Sequence, residues 1–207
     1  MLNKKLVGTA LVGLMTVGFA APAFAQTQTI DGLKGETEGK IKVTGNLGDI
    51  DNTDPEEVIP DGDDRWINVE IPTAVIFATD SKDNIVSPEY SITNKSGRAV
   101  SVAVAGYTID EAASHEKALE ALTELNIMKK GEPASKINIA ANGVSTISTT
   151  DEPQMFDERI DAQGGETTFV FNGTSDSSKL VGLDKETEKA TVASELVLKF
   201  KSLKKFE

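Results

Sequence analysis

Tyr90-Ser91-Ile92-Thr93-Asn94, followed by Lys95-Ser96-Gly97-Arg98 and then Ala99-Val100-Ser101-Val102-Ala103-Val104-Ala105, is the segment that sets the fold class. Apolar side chains recur at every second position on both sides of a glycine-containing turn. Successive side chains of a strand point to opposite faces, so this period is that of half-buried β-structure. Two strands joined as a hairpin are predicted, with Tyr90, Ile92, Val100, Val102 and Val104 turned toward one core.

The same texture continues on either side. Gly39-Lys40-Ile41-Lys42-Val43-Thr44-Gly45 alternates between two glycines, and so does Trp66-Ile67-Asn68-Val69-Glu70-Ile71. Pro72, which has no N–H to give to a ladder, separates the latter from Ala74-Val75-Ile76-Phe77-Ala78. Ile85-Val86, Ile137 to Ala140, Val144 to Ile147, Thr167 to Phe171 and Ala193 to Leu203 read as further strands. One stretch changes period: Ala113, Leu119, Leu122 and Leu125 recur at helical spacing between Asp110, a natural N-cap, and Lys129-Lys130-Gly131, a natural stop. Short strands punctuated by Gly, Asn and Pro, without βαβ alternation, predict an all-β chain. The expected architecture is an antiparallel Ig-like β-sandwich of about 8–10 strands with one amphipathic helix inserted near residues 110–128.

The domain plan follows from composition. Lys4 and Lys5 precede an apolar run from Leu6 to Ala20, and Ala23 and Ala25 place small side chains where a signal peptidase needs them. Residues 1–25 are therefore expected to be a cleavable signal peptide, fifteen apolar residues being short of the roughly 20 that span a bilayer. Residues 26–38 form a polar arm, residues 39–207 the sandwich, and residues 46–65 an acidic loop within it, broken by Pro55 and Pro60. With 33 acidic against 21 basic residues the net charge is −12, which disfavours nucleic acid and anionic membranes as partners. No cysteine is present, so an exported product must be held by its core alone.

Catalytic groups are scarce. The single histidine, His115, has Glu116 and other charged neighbours and reads as a surface residue of the helix. No nucleophile elbow, zinc-binding His-Glu-x-x-His or phosphate-cradling loop occurs, and no catalytic, cofactor or metal residue is assigned. Asp49, Asp51, Asp54, Asp61, Asp63 and Asp64 offer hard oxygens to calcium, although Asp54 and Pro60 stand where an EF-hand loop needs its glycine and its bidentate glutamate. The expectation is a solvated acidic loop, with calcium there as the alternative. Trp66, Tyr90 and Tyr107 lie in or beside strand patterns and are expected in the core, not on a sugar-binding platform.

The run from Trp66 to Thr79, the segment Ile85 to Ser96 and the closing Ser194-Glu195-Leu196-Val197-Leu198-Lys199-Phe200 resemble secreted WxL-type cell-wall proteins of Gram-positive bacteria over residues 66–203. The resemblance rests on strand texture: Trp66 is followed by Ile67 and Asn68, where that family carries Trp-x-Leu, and no functional residue is transferred. It implies a β-rich domain seated noncovalently on the wall. The expected function is a secreted, cell-surface, non-enzymatic structural or interaction protein, whose partner is a wall polymer, a surface protein or a second copy of the chain. One alternative is a subunit of an extracellular fibre or biofilm matrix, in which the arm adds a strand to a neighbour's sheet. The other is a secreted hydrolase working through a carboxylate pair.

Overall fold

The computed structural model describes residues 32–35, 37–38, 48–183 and 189–205. The chain divides into a unit of residues 1–41, whose described residues include a 3-10 turn at Gly32–Lys34, and a compact unit of residues 42–207. The signal peptide at 1–25, most of the arm and the strand expected at 39–45 lie outside the described residues. In the larger unit the strands are β1 (Val69–Glu70), β2 (Ala78–Thr79), β3 (Asn84–Val86), β4 (Tyr90–Asn94) and β5 (Val100–Ile109). A short helix α1 (Glu116–Ala121) precedes β6 (Leu122–Lys129), β7 (Ile137–Ala141), β8 (Val144–Ser145), β9 (Gln154–Ile160), β10 (Gly165–Ser175) and β11 (Ser194–Ser202).

Every pairing is antiparallel. The larger sheet runs β1-β4-β10-β6-β7-β8, with β3 paired to the far end of β10 and β2 beyond it; the smaller sheet runs β11-β5-β9. Their facing side chains make one core, in which Ile92, Leu125, Ile127, Phe169 and Phe171 of the larger sheet meet Val100, Val102, Val104, Phe156 and Ile160 of the smaller. Burying each such side chain stabilises the fold by about 1.5–3 kcal/mol. The result is an all-β sandwich of eight and three strands among the described residues. Two of these strands lie outside the expected set: β6, which helical spacing assigns to the helix, and β9, whose Gln154, Asp157, Glu158 and Arg159 hide the alternation of Phe156 and Ile160.

Three expectations are corrected. Tyr90–Asn94 and Val100–Ile109 are not a hairpin: β4 pairs with β1 and β10, β5 with β11 and β9, and the turn between them carries the chain from one sheet to the other. Buried Asn94 holds that crossing. Its Nδ2 shares its two hydrogens among the carbonyls of Arg98 (2.8 Å), Asp161 (3.0 Å) and Ile160 (3.1 Å), while its Oδ1 accepts from the Ser96 N–H. The helix expected over 110–128 is only six residues long, Glu116–Ala121, and Leu122–Lys129 is a strand. Leu119, Leu122 and Leu125 fit a helix, but Leu125 and Ile127 also alternate with Glu124 and Asn126. Pairing with β10 settles the ambiguity, because Gly173 has no Cβ to strike the Glu124 carbonyl and the two strands close in. The N-cap is His115, not Asp110: the imidazole Nδ1 accepts from the Lys117 N–H, and Asp110 instead caps the preceding turn at Ala113.

The acidic segment is folded onto the sandwich. Trp66 is fully buried; its Nε1 donates to the Pro60 carbonyl and its ring lies 4.2 Å from the Arg98 guanidinium carbon. Arg98 in turn donates to the Pro55 carbonyl (2.6 Å) and pairs with Asp61 (3.4 Å). Gly97 lets the loop lie down, since a Cβ there would sit 2.8 Å from the Asp54 carbonyl, and its N–H donates to Asn52. Self-repulsion among the acids predicts a solvated linker; one buried cation stacked on an indole supplies the counter-interaction.

Candidate functional site

Residues of both sheets and of α1 line a cleft of about 530 Å³. Its walls come from Phe77 before β2, Ile85 of β3, Leu122 of β6, Phe171 of β10, Val192, and Leu196 of β11, with Ala118 and Ala121 of α1 along one side. A volume of this size falls within the range of small-molecule sites. In a chain with 26% charged residues, none of the described residues lining the cleft is charged.

Residues noted in the sequence build these walls. The Tyr90 hydroxyl accepts from the Ile76 N–H (2.7 Å) and donates to the Ile76 carbonyl (3.1 Å), fixing the segment that carries Phe77. Tyr90 itself is half-buried against Phe169 and Phe171. On the other side the His115 N–H donates to the Thr191 carbonyl, and Ser114 Oγ accepts from the Ala193 N–H, so the turn before α1 clamps residues 191–193. His115 therefore acts as a helix cap and wall anchor. The Tyr107 hydroxyl, almost completely buried, donates to Ser194 Oγ at 2.8 Å. Burial pushes the Tyr107 pKa up from the phenol range and the bond to Ser194 partly offsets it, so the phenol stays protonated at neutral pH. No sequence pattern marks this cleft, because its lining is drawn from eight separate stretches of chain.

Most of the acidic loop's bonded carboxylates accept from neighbouring backbone and side-chain groups of the loop itself. Asp51 accepts from the Thr53 hydroxyl and N–H, Asp54 from the Glu56 N–H, and Asp63 from the N–H, Nε and Nη2 of Arg65. Asp49 and Asp64 are exposed, and among the described residues no three carboxylate or histidine side chains converge as a metal centre. The Arg65 side chain, then its N–H, draw the Asp63 pKa down to about 2. A folded-state value below the unfolded one means that the contact adds stability above the ordinary carboxyl value of 3.8, and loses it as pH falls through about 2. In an NMR titration of the side-chain carboxyls, Arg65→Gln is expected to return Asp63 toward 3.8; a midpoint that stays near 2 would show that Arg65 is not the cause.

Comparison with known proteins adds nothing to this geometry: no family profile, no curated protein and no solved structure matches the chain.

Proposed function

We propose that the protein is a non-enzymatic, exported interaction module of the cell surface, associating noncovalently with wall polymer or surface proteins and binding through the cleft between its sheets. The observation that carries this reading is the cleft's lining: aliphatic and aromatic walls interrupted by the hydroxyl residues Thr79, Tyr107, Ser175, Thr191 and Ser194, of which Tyr107 and Ser194 are bonded to each other, a composition suited to holding a ligand. The charged leader followed by an apolar run and an Ala-x-Ala site supports export, and the resemblance to WxL-type proteins supports the wall as the destination. The carboxylate-pair hydrolase finds no support in the cleft, whose described lining contains no acid.

Protein beginning at Gln26, mixed with purified Gram-positive sacculi, is expected to sediment with them saturably and to be released by urea without wall hydrolysis. Protein that stays in the supernatant at every concentration would remove the wall from this reading. A second reading, the fibre subunit, is favoured by β11, which ends its sheet and leaves the outer side of Ser194–Ser202 without a strand partner among the described residues. Light scattering separates the two: concentration-dependent polymers that vanish when residues 26–38 are deleted would support the fibre.

A further inference from the structure

We infer that the cleft takes an uncharged aliphatic chain ending in a hydroxyl or ester carbonyl, and that Ser194 reads that polar end. This inference rests on the cleft being the binding site. Three observations carry it. First, no described lining residue is charged, so a carboxylate or ammonium drawn into the cleft would lose water with no counter-ion among those residues to replace it. Second, Phe77 and Phe171 lie 6.2 Å apart with planes inclined at 50°. They form no parallel slot for a flat ring, whereas a flexible chain can follow such a wall. Third, Tyr107 uses its only proton on Ser194 Oγ, which leaves the Ser194 hydroxyl proton to donate to a ligand oxygen. Tyr107 is 3% exposed and anchored in β5, so it orients Ser194 from a rigid position, while Ser194 itself is exposed to the cleft.

The test is isothermal titration calorimetry of the protein from Gln26 with 1-decanol, with decanoate at pH 8, and with naphthalene. 1-Decanol is expected to bind saturably at one site with a negative heat-capacity change, the mark of apolar burial. Decanoate and naphthalene are each expected to bind at least tenfold more weakly. Ser194→Ala should weaken 1-decanol roughly threefold to tenfold, the value of one hydrogen bond, and leave the heat-capacity change in place. Ala121→Trp should fill the cleft and abolish binding; because Ala121 is buried, Thr191→Trp at the exposed rim serves as a second obstruction, with circular dichroism confirming that each variant is folded. Absence of saturable 1-decanol binding, equal affinity for decanoate, or unchanged binding in a folded Thr191→Trp protein would overturn the inference. Retention on sacculi without 1-decanol binding would remove this inference alone, and 1-decanol binding without retention would remove the wall reading alone.

Discussion

Trp66→Ala should cost about 3–5 kcal/mol of stability, the usual range for deleting a fully buried indole. For a chain of this size that corresponds to a melting temperature lower by roughly 6–20 °C. The loss has three parts: the indole leaves a cavity, the Pro60 carbonyl loses its donor, and Arg98 loses the ring beneath it. Arg98 then keeps only the Pro55 and Gly97 carbonyls and the 3.4 Å pair with Asp61 in a part-buried site. Residues 52–63 should consequently become sensitive to protease in the variant and resistant in the parent. Trp66→Phe, which keeps a ring but not the N–H, should recover most of the stability, with a residual deficit of about 1 kcal/mol for the missing hydrogen bond. Urea unfolding must be followed by circular dichroism, because Trp66 is the only tryptophan and its removal abolishes the indole fluorescence. A loss below about 1 kcal/mol in the alanine variant would mean that the loop is not anchored through Trp66.

Asn94→Asp is the second large effect, with a signature in pH. Asn94 spans the step from the larger sheet to the smaller, donating to three carbonyls and accepting from Ser96 while fully buried. An aspartate of the same shape, when ionised, turns donors into acceptors and faces three carbonyl oxygens with negative charge. Leaving an uncompensated buried charge costs about 3–5 kcal/mol. Burial and repulsion both disfavour the ionised form, so the folded-state pKa of this aspartate rises above the unfolded value of about 3.9. The folded state then holds the proton more tightly. The deficit relative to the parent is smallest below the unfolded value, opens as pH rises through it, and is complete above the folded value. Parallel denaturant titrations of parent and variant from pH 3 to pH 7 check this, because the common acid-unfolding background cancels in the difference. A deficit that does not change over that range would mean that the carboxylate at this position does not face the three carbonyls in a buried site.

Both residues show where legibility in the sequence ends. Trp66 is expected in the core and lies there, but within a 3-10 turn (Asp64–Trp66) under the acidic loop and not along a strand. What holds it is Arg98, thirty-two positions away in the chain, and no local pattern announces that pairing. Asn94 reads as an ordinary strand residue, since its partners Ile160 and Asp161 lie more than sixty residues on. Tyr90, Tyr107 and His115 are each legible as residue types. Their shared task of shaping one cleft depends on Ile76, Ser194 and Thr191 being brought to them.

Alternation of period two is a property of neighbouring residues, and it is enough to establish that this chain is β-rich, antiparallel and layered, with Ile92, Val100, Val102 and Val104 in its core. Pairing is a property of distant ones. Whether Leu122–Lys129 continues a helix or joins β10, whether Asn94 and Val100 belong to one sheet or two, and where the acidic loop comes to rest depend on which partner offers burial and hydrogen bonds. At these positions the local preferences are nearly balanced, so a few kcal/mol of long-range packing selects the outcome. The cleft is the clearest case, because its lining combines residues of both sheets, of α1 and of the segment before β11, and no single segment of the sequence contains it.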